Sequence, residues 1–111
     1  MMLLTKEIER AFEKQGYVGD KKPNEIKVIC KLFNPVGAGT WYLYERENED
    51  IFWCFANLGD SDMAECGTVS LSELKGLRLP LGLSIERDRS FDIGEYTLQE
   101  VIDRIKIGGH I

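Results

Sequence analysis

The densest run of chemistry-bearing side chains is Glu86-Arg87-Asp88-Arg89. In an extended chain successive side chains alternate between faces, which puts Glu86 and Asp88 on one side and Arg87 and Arg89 on the other. Two carboxylates on one side can share a divalent cation, and two guanidiniums on the other can grip a phosphate. The commoner use of such a cluster is ion pairing that pins a loop to its neighbours, here to the strand bearing Lys27 and Lys31. Ion pairing is therefore the expected role, and a metal-assisted enzyme using Glu86 and Asp88 is the alternative.

Other catalytic arrangements lack parts. The only histidine, His110, stands near the chain end beside Gly108 and Gly109, so no serine or cysteine has an anchored base. There is no G-x-S-x-G elbow, and Gly37 and Gly39 lead into a strand pattern rather than a helix, which removes the context that cradles phosphates. Cys30, Cys54 and Cys66 form no C-x-x-C pair, and a zinc site wants four ligands. They read as small buried apolar residues of a reduced protein. The expectation is a non-enzymatic protein with no catalytic residues, no metal and no cofactor.

Charge supplies the second chemistry. The chain carries a net −5. Within residues 45–65, Glu45, Glu47, Glu49, Asp50, Asp60, Asp62 and Glu65 stand against Arg46 alone, a net −6, so the rest of the chain is +1. Trp41, Tyr42, Tyr44, Phe52, Trp53 and Phe55 have the rings to stack bases, but a single-strand platform also needs a positive groove, and this one would repel phosphate. A nucleic-acid-binding module is the weaker alternative, and a protein partner with a basic surface is the expected one. The candidate contact residues are Glu47, Glu49, Asp50, Asp60 and Asp62, with Arg78, Glu86, Arg87, Asp88 and Arg89 from the 77–89 segment. In a meander the two acidic turns fall at opposite ends of the sheet and form separate patches. No apolar run reaches the length of a signal peptide or a membrane span, so a cytoplasmic protein is expected.

These residues are positioned by a small set of elements. Thr5 is an N-cap for a helix over residues 6–15, whose Ile8, Ala11 and Phe12 share a face and which Gly16 ends. Residues 25–33 alternate, with Ile26, Val28, Cys30 and Leu32 expected on one face. Two further strands, residues 40–45 and 51–57, carry bulky side chains on both faces and need cover on both. Residues 64–69 read as a weaker strand, followed by a helical turn over residues 71–75. Thr97 and Glu100 make a capping box, with Leu98, Val101, Ile102 and Ile105 on one face of a helix ending near residue 107. The fold expected is α+β: a four-stranded antiparallel meander with an N-terminal helix, a short helical turn after the last strand and a C-terminal helix. One domain spans residues 1–107, with 108–111 a flexible tail, and the two-sided apolar strands leave room for a homodimer.

Leu3-Leu4-Thr5-Lys6-Glu7-Ile8, Thr40-Trp41-Tyr42, Ser70-Leu71-Ser72-Glu73-Leu74 and Pro80-Leu81-Gly82-Leu83-Ser84-Ile85-Glu86-Arg87-Asp88 together resemble a family of small bacterial proteins of unknown function carried on plasmids, phages and other mobile elements. The likeness runs to about Val101. Where that family carries a proline before the isoleucine ahead of the Glu-Arg-Asp triplet, this chain has Ser84, which implies a less rigid loop. The resemblance implies a mobile-element setting and supplies no catalytic residues; the localised acidity adds the expectation of an accessory or regulatory protein that acts on a host protein.

Overall fold

In the computed structural model, which describes residues 2–111, each α-helix starts at a hydroxyl that satisfies one of its free N–H groups. The first, α1 (Lys6–Gln15), begins at Thr5, whose Oγ1 accepts from the Ile8 N–H at 3.1 Å. It ends at Gly16, whose φ of 63° lets its N–H turn back to the Phe12 carbonyl. Ser70 caps α2 (Leu71–Gly76) by accepting from the Glu73 N–H. Thr97 caps α3 (Leu98–Lys106), and Glu100 reaches back to the Thr97 N–H, completing the expected capping box.

The strands β1 (Cys30–Phe33), β2 (Thr40–Arg46), β3 (Ile51–Asn57), β4 (Glu65–Ser70) and β5 (Glu86–Arg87) form one sheet in the order β4-β3-β2-β1-β5. All neighbours are antiparallel. The α+β class is as expected, and the strand count is corrected from four to five. Glu86 and Arg87 pair with Phe33 and Leu32. A two-residue strand is too short for alternation to register; it exists because the outer edge of β1 was free to take it.

Bulky side chains on both faces of the central strands require two covers, and the helices provide them. On one face Leu43, Phe52 and Cys54 pack with Ile8 and Phe12 of α1 and Leu71 and Leu74 of α2. On the other, Tyr42, Tyr44 and Phe55 pack with Leu98, Val101 and Ile105 of α3. Each fully buried large side chain contributes roughly 1.5–3 kcal/mol, so the two covers rather than intrinsic propensity hold the helices in place. No helix among the described residues is long and apolar enough to cross a membrane.

The expected single face for Ile26, Val28, Cys30 and Leu32 is overturned. Ile26 and Val28 join the α3 side, while Cys30 and Leu32, together with Ile29, join the α1 side. The reason is a change of hydrogen-bonding partner. Before the switch, Val28 bonds the chain leading into α3, through its N–H to the Tyr96 carbonyl and its carbonyl from the Gly94 N–H, both at 3.0 Å. After it, the Ile29 N–H donates to Leu43 of β2 at 2.8 Å. Consecutive residues are thus buried on opposite faces, and the strand proper starts only at Cys30.

Where β1 parts from β2, a side chain fills in. The Gln15 amide accepts from the Lys27 N–H at 2.9 Å and donates to the carbonyls of Lys27 and Tyr44, at 2.9 and 2.6 Å. Tyr44 is the residue skipped by the β2–β3 register between Leu43 and Glu45. One glutamine at the end of α1 therefore satisfies a bulge and a strand end together.

Candidate functional site

The two acidic turns do fall at opposite ends of the sheet, and their local chemistry differs. In the β2–β3 turn, the Asp50 carboxylate accepts from Ser70 Oγ at 2.5 Å, from the Ser72 N–H at 2.8 Å and from Ser72 Oγ at 3.0 Å. The Ser70 hydroxyl and then the Ser72 N–H hold its carboxyl below the usual range. Glu47 accepts from the Trp53 indole N–H at 3.1 Å, and the Glu49 carbonyl accepts from the Arg46 guanidinium at 2.8 Å. Arg46 also pairs with Glu9 at 3.3 Å and lies over the Phe52 ring. The sequence marked Asp50 as a contact residue; its carboxylate is committed to the start of α2.

The β3–β4 turn is organised otherwise. Asp60 accepts from the Asp62 N–H at 3.0 Å, which shapes a short helical turn, Ser61–Met63. Among the described residues nothing pairs with the carboxylates of Asp62 and Glu65. Beside them Leu58 and Met63 are 67% and 75% exposed. These two apolar side chains edge a groove of about 330 Å³ that runs over Trp41, Cys54, Ala56 and Val69, with Gly67 leaving its floor open. Leu58, Met63 and Gly67 carry no charge and Glu65 is only one acid among seven within residues 45–65, so none of the four stands out as a contact residue in the sequence. The available signal was a pair of apolar residues in a polar turn and a glycine inside a strand.

The Glu86–Arg89 cluster is used to tie the chain together. Arg87 donates to the carbonyls of Met2 and Leu3 at 2.8 and 2.9 Å. Asp88 accepts from Ser90 Oγ at 2.6 Å and the Ser90 N–H at 2.9 Å, and pairs with Lys31 at 3.4 Å. Chiefly the Ser90 hydroxyl holds the Asp88 carboxyl below its ordinary value. Lys31 also donates to the Ile111 carbonyl at 2.6 Å, so this corner gathers both ends of the chain. Glu86 lies half-buried on β5, and a cation shared by Glu86 and Asp88 would have to displace Lys31. Arg89 and Arg78 are exposed, the latter on the loop after α2. In the same loop Leu81 takes a left-handed φ of 64°.

A wider cleft of about 880 Å³ opens between the end of α1, the 16–23 loop and the β2 bulge, lined by Tyr17, Glu45, Trp53 and Cys66 among others. Glu45 closes one side by accepting from the Val18 N–H at 3.1 Å. Burial pushes the Tyr44 phenol well above its ordinary range, and partial desolvation of the thiol raises Cys66 although the residue as a whole is exposed, so both stay protonated at neutral pH and neither is an activated nucleophile. Cys66 is exposed, which corrects its reading as a buried residue; Cys30 and Cys54 are buried as expected, their thiols pushed up to about 12 by desolvation. The aromatic set is mostly core: Tyr42, Tyr44, Phe52 and Phe55 are buried, and Trp41 and Trp53 half-buried.

The fold and these surfaces define a small α+β domain with a two-sided core, one acidic turn in which Asp50 and Glu47 are bonded within the chain while the Glu49 carboxylate is exposed, and another acidic turn beside an apolar groove. The chain belongs to the family described as Protein of unknown function (DUF2958), which matches residues 3–111. Neither the curated proteins nor the solved structures give a match to the chain.

Proposed function

We propose that this chain is a non-enzymatic accessory or regulatory domain that binds a partner protein through acidic surface, chiefly at the β3–β4 end. One observation carries the reading. Leu58 and Met63 stand exposed among Asp60, Asp62 and Glu65, over a groove that the rest of the chain leaves open. Apolar anchors ringed by like charges suit a basic protein surface, where the anchors supply burial and the charges steer and orient. The same reading places the domain in the cytoplasm of a cell carrying a mobile element, with a host protein as partner.

Affinity capture from the native host tests it, with the wild-type chain beside two charge-reversed variants. One carries Asp60→Lys, Asp62→Lys and Glu65→Lys; the other carries Glu47→Lys and Glu49→Lys. A partner kept by the second variant and lost by the first supports the proposal. A partner kept equally by both, or bound to the 77–89 segment instead, overturns it.

A further inference from the structure

The sheet has two edges, and they are finished differently. At one, β5 is two residues long, and Arg87 and Asp88 tie it to the chain start and to β1. That edge is short and charged, which is how proteins commonly protect a free strand. At the other edge β4 runs the full length of Glu65–Ser70 with Glu65 as its only charge. Proline and lysine, the usual guards, are absent from it.

The phase of the β3–β4 ladder settles which backbone groups are left over. Leu71 N–H donates to the Asp50 carbonyl at 2.8 Å, and this pair continues the register in which Ile51 faces Ser70 and Phe52 faces Val69. Bonded pairs alternate along an antiparallel ladder. Val69, Gly67 and Glu65 therefore spend their backbone groups on β3, while those of Ala64, Cys66, Thr68 and Ser70 point away from the sheet. Lys106 agrees with this phase, since its Nζ reaches outside the sheet to the Ala64 carbonyl at 2.5 Å. The Ser70 carbonyl is taken by the first turn of α2. Among the described residues no partner meets the N–H and C=O of Cys66 and Thr68, or the N–H of Ser70.

We propose that β4 receives an extended segment of a basic partner protein as a further strand of the sheet. This rests on the protein-binding reading above and states the mode and chemistry of the partner. Main-chain bonds to Cys66, Thr68 and Ser70 supply affinity, and alternate side chains supply selection. On the α1 side, Gly67 gives a strand neighbour room to lay an apolar side chain over Cys54 and Ala56, between Trp41 and Val69. On the α3 side, Cys66 and Thr68 suit small polar neighbours. Past the start of β4, Asp60, Asp62 and Glu65 are complementary to lysine or arginine. Charge decides between this occupant and a second copy: each copy brings a net −5 and the same carboxylates to the junction, whereas a basic segment is attracted.

The test uses the full-length chain, nitrogen-15 labelled, and three synthetic peptides. The first alternates valine and threonine behind two lysines; the second replaces the lysines with glutamate; the third is the first with its amides N-methylated. The first peptide is expected to slow exchange of the Cys66, Thr68 and Ser70 amides about tenfold or more, and the other two to bind about tenfold more weakly. Thr68→Pro removes an outward N–H at an edge position where proline is tolerated, and is expected to weaken the first peptide about tenfold with the thermal midpoint kept. Gly67→Val, which fills the groove and leaves the ladder intact, is expected to weaken it similarly and serves if the proline variant does not fold.

Absence of protection at millimolar peptide overturns the proposal, as does binding indifferent to Thr68→Pro and Gly67→Val. If such indifferent binding is still lost with Asp60→Lys and Asp62→Lys, the edge is not the site and the acidic contact surface stands. Concentration-dependent protection of the same amides without peptide means the occupant is a second copy, which overturns the basic segment.

Discussion

At one end of the sheet, Asp50 draws in two serines and an N–H from α2, Glu47 holds an indole, and Arg46 is locked over Phe52. At the other end, Asp60 shapes its own turn, and Asp62 and Glu65 face outward beside exposed Leu58 and Met63. Both turns are acidic, so composition does not separate them. What separates them is the element packed beside each turn. Beside the β2–β3 turn, the start of α2 lies within reach and its first turn offers unsatisfied N–H groups that favour an anion. Beside the β3–β4 turn, Lys106 donates to the carbonyls of Asp62 and Ala64, and among the described residues nothing pairs with the carboxylates of Asp62 and Glu65. A carboxylate becomes structural or available according to what the fold brings near it.

The largest effect is expected at the structural end of the sheet. Phe52 is fully buried below the β2–β3 turn, with its ring 5.1 Å from that of Phe12. Phe52→Ala is expected to cost about 3–5 kcal/mol by leaving a cavity, read from chemical denaturation. A loss near zero would mean that the α1 face is not the core described.

Next in size is Asp50→Ala, which strips the acceptor shared by Ser70 and Ser72. A lower thermal midpoint and less helical circular dichroism are expected, with Glu49→Ala as the control that leaves both nearly unchanged. Equal effects of the two substitutions would erase the distinction drawn within this turn.

Acid sharpens the same contrast. The carboxyls of Asp50, Asp88 and Glu100 are held below their ordinary values, chiefly by hydrogen bonds from Ser70, Ser90 and Thr97. The unfolded chain therefore binds protons more readily than the folded one. The stabilisation they give is complete above the unfolded carboxyl range of about 4 and is lost as pH falls through the lower folded values. Stability measured against pH is expected to fall below about pH 4, and Asp50→Asn to flatten that fall. An unchanged slope would show that Asp50 is not held as described.

The smallest effect is expected at the presented end. Asp62→Lys with Glu65→Lys is expected to shift stability by no more than about 0.5 kcal/mol, because these exposed carboxylates have no partner among the described residues. A loss of stability comparable to that of Asp50→Ala would place this turn with the structural one.

Much of the frame was legible in the sequence, at the positions where a few neighbouring residues decide the outcome. Thr5, Ser70 and Thr97 announce the helices because an N-cap needs only its own hydroxyl and an N–H three residues on. The strands β2 and β3 announce themselves by bulky side chains on alternate positions, and the turn residues between them by their charge. The candidate site was legible only in part. Asp60 and Asp62 are exposed, with Asp60 shaping its own turn, whereas Asp50 and Asp88 are bound within the chain. Leu58, Met63 and Gly67 gain meaning only once β4 is seen to lie at the edge of the sheet.

What the sequence by itself determined, then, is the three α-helices, four of the five strands, the α+β class and the location of the negative charge. Tertiary structure alone decided the fifth strand, the face reversal between Val28 and Ile29, the commitment of Asp50 to α2 and the open edge of β4. The physical reason is range. Caps and alternation act within one turn or one strand, whereas Ser70 reaches Asp50 across 20 residues and Arg87 reaches Met2 across 85, and such partners are chosen by the topology that brings them together.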